Sequence, residues 1–393
     1  MACFCRQRVQ ALVRIVHLIS NLNIGGAECA LCTLVQGMQG LPIQHVVVSM
    51  MPNGVLVERL RDAGAQVVEL GSRRSLSAVS QLHRLGKAVQ DAHPDLVQGW
   101  MYHGNLAASA ISLCRYTRAP VIWAVRQRLE RLSDNRLRTR LVILASRAFA
   151  SQPRRILYNS IDAAMDHSRF GYPLARAQVV PNAVDCERFK PRPGVAAALR
   201  RDLGLDPTSL LVGRIGRNAA MKGNGMLLTA FKRIAAVEPR AHLVLIGPSM
   251  TDDDPQLNDL VDEAGLRGRV HRLGAKLDIE NFYPAFDLVI SSSSNTEGFP
   301  NVIAEAAASG TPVVATDVGE SRSILRQSEL LVAPGDVAAL TRVGSSVLAL
   351  TDEQKTRLGR TLRAGIVERY AVQKIIHRYL TIWRECVDAP AQF

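Results

Sequence analysis

Residues 288–317 read LVISSSSNTEGFPNVIAEAAASGTPVVATD. The run Leu288–Ser292 is short and apolar, and a second such run, Pro312–Thr316, follows. Between them Pro300 suits the first turn of a helix, where the missing N–H of a proline costs nothing. Strand, helix, strand is a βαβ unit. Continuous apolar runs, rather than alternating ones, indicate strands buried on both faces of a parallel sheet.

The same alternation extends in both directions. Upstream lie the runs Ile15–Ser20, His45–Met50, Gln66–Leu70, Leu96–Trp100, Pro120–Val125, Arg155–Asn159 and Val179–Val184, separated by helical patterns such as Ser75–Ala92 and Gly104–Arg115. The stretch Cys186–Pro207 (CERFKPRPGVAAALRRDLGLDP) interrupts the pattern. It restarts at Leu210–Gly216 and continues through His242–Gly247 and Arg269–Gly274 to Leu330–Val332, with a helical segment at the end. The expected fold is therefore α/β, with two doubly wound Rossmann-like domains facing each other across a cleft. The expected boundaries are 1–190 for the first domain, 191–208 for a linker and 209–370 for the second domain. A C-terminal helix over 371–393 is expected to pack back on the first domain.

The chain has 393 residues, 47% of them hydrophobic and 21% charged, which is ordinary globular composition. Seven scattered cysteines do not form a disulfide framework and fit free thiols in a reducing compartment. The best apolar stretch, Leu141–Ala150, contains Arg147 and falls short of the roughly 20 apolar residues of a spanning helix. The start, MACFCRQRVQALVR, lacks the apolar core of a signal peptide and reads as a tail. A cytoplasmic location is expected. The net charge of +13 lies wholly in the first half: residues 1–192 hold 25 basic and 12 acidic side chains, and 193–393 hold 23 of each. It is densest over Arg126–Arg155, where nine arginines face Glu130 and Asp134. Such a stretch is either a solvated basic surface or a field that attracts anions: nucleic acid, an anionic membrane face or phosphorylated substrates. Nucleic acid would call for aromatics interleaved with the arginines, and only Phe149 is present there.

The chemistry concentrates after Leu288–Ser292. Glu297 and Glu305 stand with seven residues between them, flanking the helix start at Gly298, Phe299, Pro300 and Asn301. Backbone N–H groups of about Phe299–Val302 then point out of a helix amino end, a ready site for a diphosphate. Each carboxylate can accept hydrogen bonds from vicinal hydroxyls. Two carboxylates flanking a diphosphate suit a sugar nucleotide, one on the ribose and one on the sugar. Arg217 and Lys222, five residues apart after the first strand of the second domain, can converge on one phosphate pair. Arg214 is nearby, but the spacing to Lys222 favours Arg217. His103 follows the strand ending at Trp100, and Gly25 and Gly26 let backbone approach a ligand closely.

These pieces carry a resemblance. Glu297–Glu305 within EGFPN…EA…SGTPVVATDVG resembles the E-x7-E signature of the retaining glycosyltransferase family 4, the bacterial polysaccharide-type group 1 enzymes with the GT-B fold. Further matches follow in order along nearly the whole chain: Gly25-Gly26-Ala27-Glu28, Trp100-Met101-Tyr102-His103, Val121–Arg126, Val180–Asp185 and Gly216-Arg217…Lys222-Gly223. The resemblance implies a retaining transferase that moves a sugar from a nucleotide donor, UDP-linked by expectation, to an acceptor in cell-surface polysaccharide or glycolipid synthesis. It implies that Arg217 and Lys222 stabilise the departing diphosphate, that His103 lies at the sugar end, and that Glu297 holds sugar hydroxyls and Glu305 the ribose. The loop of Gly25 and Gly26 would lie beside the diphosphate and acceptor. No cofactor and no metal is expected beyond the nucleotide-sugar co-substrate.

The sequence departs from the family pattern at Ala183, where Pro-Asn-Gly is usual, and over Ser323–Ala333, which is slightly short. The expected partners are a nucleotide sugar and a glycan or lipid-linked acceptor, with attachment to an anionic membrane surface as a hypothesis from the charge. A sugar-nucleotide epimerase or hydrolase on the same fold, and a basic nucleic-acid-binding protein, are the alternatives. Cys29-x-x-Cys32 lacks a second ligand pair, and Asp252–Asp254 precedes Pro255 as a helix cap would.

Overall fold

The computed structural model describes residues 13–71, 77–134, 137–294 and 297–389. Most of the N-terminal tail read from the sequence lies outside the described residues, as do Arg136 and the first two residues of the helical pattern over Ser75–Ala92. The chain divides into two compact units: residues 1–183 with 372–393, and Val184–Ala371.

In the first unit the elements run β1 (Val13–Ile19), α1 (Gly26–Gly37), β2 (Ile43–Ser49), α2 (Val57–Asp62), β3 (Gln66–Glu69), α3 (Ala78–Asp91), β4 (Leu96–Trp100), α4 (Met101–Leu113), β5 (Val121–Val125), α5 (Leu137–Phe149), β6 (Arg155–Tyr158), α6 (Ile161–Arg169) and β7 (Ala177–Val179). The second holds α7 (Val195–Asp202), β8 (Leu210–Ile215), α8 (Asn224–Val237), β9 (Ala241–Ile246), α9 (Pro255–Glu263), β10 (Val270–Arg272), β11 (Leu288–Ser291), α10 (Asn301–Ala308), β12 (Val313–Thr316), α11 (Ser321–Leu325), β13 (Leu331–Val332), α12 (Val337–Leu348) and α13 (Asp352–Tyr370). The last helix, α14 (Val372–Asp388), belongs to the first unit.

Both sheets are parallel throughout, in the orders β3-β2-β1-β4-β5-β6-β7 and β10-β9-β8-β11-β12-β13. Central strands are buried on both faces, so β4, β5 and β8 are buried at every position. In each sheet the strand order reverses once, between β1 and β4 and between β8 and β11. At such a reversal the following helices leave on opposite faces, which opens a crevice at the carboxyl ends of the two strands. Each unit therefore has one topologically specified place for a ligand.

Residues 191–208, read from the sequence as connecting chain, are packed into the second unit. Leu199 of α7 joins its core, and Arg200 donates to Ser209 O at 2.6 Å and to Asp287 at 3.0 Å. The ion pair that fixes this helix requires Asp287, far away in sequence.

The amphipathic α14 lays Ile375, Ile376, Tyr379, Ile382 and Trp383 against the first unit's core. Beneath it lies a buried polar network. Trp383 Nε1 donates to Gln98 Oε1 at 2.9 Å, and Trp100 Nε1 donates to His17 Nδ1 at 3.2 Å. An indole nitrogen can only donate, so His17 carries its proton on Nε2 and donates it to His45 Nδ1, 3.0 Å away. Elsewhere in the unit, His167 Nδ1 donates to Ala163 O at 2.7 Å, and Tyr102 OH donates to His167 Nε2 at 2.9 Å. Burial holds His45 and His167 down to about 4, and His17 well below the ordinary 6.5. All three native values lie below the unfolded one. Between pH 6.5 and about 4 the unfolded chain therefore binds more protons, and stability falls as pH falls. His45 and His167 together impose a slope of up to about 2.7 kcal/mol per pH unit. Urea unfolding of the first unit should show a marked drop in midpoint between pH 7.5 and pH 5; equal midpoints would contradict the neutral, buried pair.

Candidate active site

The second unit's crevice is built by the loops after β8 and β11. Gly223 caps α8 at φ +65, and a side chain there would strike the Ser292 carbonyl, so the two loops are in direct contact. Ser292 Oγ donates to Lys222 O at 3.0 Å, and the Ser294 N–H donates to Met221 O at 2.9 Å. This stitching places Lys222 Nζ on Glu297 Oε1, and Ser293 Oγ donates to the same oxygen at 2.9 Å. Lys222 and Glu297 are both mostly buried, at 22% and 14% exposure, where a charge pair is screened less than at an open surface.

Glu297 leads into Gly298, Phe299 and Pro300, and helix α10 begins at Asn301. Pro300 sits at the cap with φ −73, one position before the first helical residue. The positive end of α10 thus lies beside Glu297. Phe299 is buried and stacks edge-on against Tyr370 with ring centroids 5.2 Å apart, which anchors the loop. Glu305, about a turn and a half into α10, accepts a hydrogen bond of 2.6 Å from the buried Tyr283 hydroxyl. Glu297 and Glu305 therefore flank the amino end of one helix.

Arg217 is exposed on the loop after β8, with Nη2 3.6 Å from Met221 Sδ. Arg214 has a different position. It is buried within β8, and its guanidinium binds the carbonyls of Gly216 and Arg217, the latter at 3.2 Å. Burial lowers its pKa to about 10, partly offset by the Glu297 charge, so it is cationic at neutral pH. It braces the turn that presents Arg217. Sequence reasoning weighed Arg214 only as a competitor for Arg217. Its place inside an apolar strand was the available signal that it points inward.

Two other contributors were not singled out. Tyr283 orients Glu305. Gly319, at φ +53, lies where any Cβ would meet the carbonyls of Glu297 and Gly298, and the next residue, Glu320, donates its N–H to Gly298 O at 3.1 Å. The loop after β12 thus supports the loop that carries Glu297.

Gly25, Gly26 and His103 belong to the first unit, at its own strand-order reversal. Gly25 caps α1, and Glu28 folds its carboxylate over the space a Gly25 side chain would fill; burial raises the pKa of Glu28. His103 is in the first turn of α4, which starts directly after β4 with no connecting loop. Met101 makes this junction in a left-handed conformation, φ +58. Strain of about 1–3 kcal/mol at such a residue is retained where its surroundings enforce it. Here Gly104 packs on the Leu18 carbonyl and Gly99 on the Asn105 backbone. The His103 side chain is exposed, and partial desolvation lowers its pKa, which favours the neutral imidazole at pH 7. The spacing of the sequence placed His103 after the strand but gave no sign of the left-handed turn.

The Asp252–Asp254 cluster is occupied in capping and pairing: Asp254 accepts from Leu257 N–H and from Asn218, and Asp252 meets Arg272 at 2.6 Å. Among the described residues, no three His, Cys, Asp or Glu side chains group as metal ligands would.

Residues 206–349 match the family model of the glycosyl transferases group 1, and residues 24–188 match that of glycosyltransferase family 4. The lipopolysaccharide core biosynthesis mannosyltransferase LpsB of Rhizobium meliloti is 26% identical over 270 residues, which cover 64% of this chain and 76% of that one. A D-inositol 3-phosphate glycosyltransferase of Nocardia farcinica is 37% identical over 164 residues, covering 40% of this chain and 36% of that one. In structure, the chain is similar to Anabaena Alr3699/HepE in complex with UDP and glucose, with a TM-score of 0.82 at 22% identity, covering 95% of this chain and 100% of that one. The sucrose-phosphate synthase of Thermosynechococcus elongatus gives a TM-score of 0.77 at 19% identity, covering 95% and 98%.

Proposed function

The chain belongs to glycosyltransferase family 4, the glycosyl transferases of group 1, and on that premise we propose that the crevice of its second unit holds a uridine-diphosphate sugar. It is a glycosyltransferase with the two Rossmann-like domains of the GT-B fold. The observation that carries the donor reading is the Lys222–Glu297 ion pair at the amino end of α10. An ammonium has three donors. One is spent on Glu297 Oε1, and the others can meet a diphosphate held at the helix end.

In this reading Arg217 adds a forked donor, and Lys222, Arg217 and the backbone at Asn301 stabilise the negative charge that develops on the leaving diphosphate. Glu297 Oε2 accepts from the sugar hydroxyls, and Glu305, oriented by Tyr283, accepts from the ribose. Gly25, Gly26 and His103 serve the sugar and acceptor side. Transfer retains the anomeric configuration: the acceptor oxygen bonds to the anomeric carbon on the face the diphosphate leaves, and its proton passes to a departing phosphate oxygen. The UDP-bound Anabaena protein supports the uridine donor, and the mannosyltransferase relative supports a cell-surface glycan as product. The +13 charge confined to the first half supports an anionic, lipid-linked acceptor and peripheral attachment to an anionic membrane face.

A panel of nucleotide sugars, each assayed for release of its own nucleoside diphosphate with and without acceptor and in excess EDTA, tests the reading. Release should be fastest with a UDP-sugar and should persist in EDTA, because side chains and a helix end supply the positive charge. Complete loss in EDTA, restored by Mg2+ or Mn2+, would overturn the metal-free site. Conversion of the donor to an epimer without acceptor would replace transfer by the epimerase reading.

A further inference from the structure

Helix α5 has an outer face that nothing among the described residues of the first unit covers. Leu137, Leu141 and Leu144 are 70%, 60% and 43% exposed. They stand at i, i+4 and i+7, so they form one row along a helix about 20 Å long. Single exposed leucines are common on soluble proteins, but an ordered row is not scatter. The opposite face is anchored: Ile143 and Ser146 are buried, and Ile143 packs with Tyr102 and Leu129. The helix therefore cannot roll to hide the row without losing its core contacts. Its thirteen residues include Arg138, Arg140 and Arg147 and no acidic side chain. Arg138 and Arg147 are exposed, and Arg147 lies over the Phe170 ring at 5.9 Å.

We propose that this row enters the headgroup layer of an anionic bilayer, with the arginines on lipid phosphates. The proposal rests on the membrane reading above and adds the element that inserts. Charge selects this occupant. A second copy of the chain laid against the row would bring arginine against arginine, whereas anionic lipid answers both the leucines and the arginines. No helix among the described residues is long and apolar enough to cross a membrane, so the contact is interfacial. Because α5 packs on α4, docking would hold the helix that carries His103 at a set distance from the lipid surface.

The test uses the full chain with vesicles of equal phosphatidylglycerol and phosphatidylcholine. Wild type should sediment with them at low salt and be released at about 0.5 M salt, where exposed charges are screened. The variant L137S/L141S/L144S should partition at least about tenfold more weakly at the same salt, given roughly 0.8 kcal/mol for each methylene buried in lipid. Its release of UDP from a donor in solution should be unchanged, which shows that it is folded. In a separate L141W variant, emission from the new tryptophan should shift to the blue on vesicle addition, against three native tryptophans that are all buried. Wild type that ignores these vesicles overturns the membrane reading and this proposal together. Wild type that binds, with the serine variant binding equally and the L141W emission unshifted, overturns only the inserted row. A wild-type dimer in light scattering that the serine variant abolishes assigns the face to a second copy and also overturns it.

Discussion

Lys222→Ala should lower kcat/KM by at least about a hundredfold, the scale of removing one preorganised charge-stabilising donor. The loss has two sources. On the proposed donor reading the ammonium would no longer meet the diphosphate, and Glu297 would lose the cation that sits on its Oε1. An unneutralised carboxylate then faces an incoming dianion. The two sources separate in a double variant. Lys222→Ala with Glu297→Gln should recover part of the lost KM, since the repulsion is gone, but little of kcat. Arg217→Ala should also cost about a hundredfold, without the repulsive part, because Arg217 is exposed and rests on Met221 Sδ rather than on a carboxylate. Arg217 is exposed, so the melting temperature should move little in Arg217→Ala, whereas Lys222→Ala leaves the mostly buried Glu297 carboxylate without its cation and should lower it. Full activity in Lys222→Ala would remove it from the diphosphate site.

Gly319→Val should be the most disruptive single change near the site that touches no substrate. At φ +53 a β-branched residue is strained, and its Cβ would enter the space of the Glu297 and Gly298 carbonyls. Together these should cost about 3 kcal/mol of stability. Because the displaced carbonyls belong to the loop carrying Glu297, activity per folded molecule should also fall at least about tenfold, by the steep dependence of rate on placement. Gly335→Ala is the control. Its φ is +84, but a Cβ there meets nothing within 4 Å, so it should cost about 1 kcal/mol and leave activity intact. Denaturation midpoints and kcat/KM for the two variants decide the matter. Equal behaviour would mean that Gly319 is only a turn glycine.

Two features of the candidate site were legible because each is local. The helix start at Pro300-Asn301 and the spacing of Glu297 and Glu305 lie within one or two turns of chain, where backbone geometry converts spacing into position. Parallel sheets were legible for a similar reason: a strand covered on both faces must be apolar at every position, as β4, β5 and β8 are buried at every position.

What stayed hidden depends on which distant surfaces meet. Lys222 and Glu297 are 75 residues apart, and their contact requires β8 and β11 to be neighbours. Arg214 reads as another basic residue until the strand turns it inward toward the Gly216 and Arg217 carbonyls. Helix α5 illustrates the limit most plainly. Leu137, Leu141 and Leu144 have the spacing of a core-facing stripe, yet Ile143 and Ser146 face inward. Sequence by itself determined the parallel α/β architecture, the acidic pair around a helix start and the basic first half, because period and charge are carried by residues near one another in the chain. Only the tertiary structure decided that Lys222 neutralises Glu297, that Gly319 supports that loop and that the leucine row is exposed. Hydrophobic burial has no direction of its own, and which apolar face wins the core is set by the volume its neighbours leave.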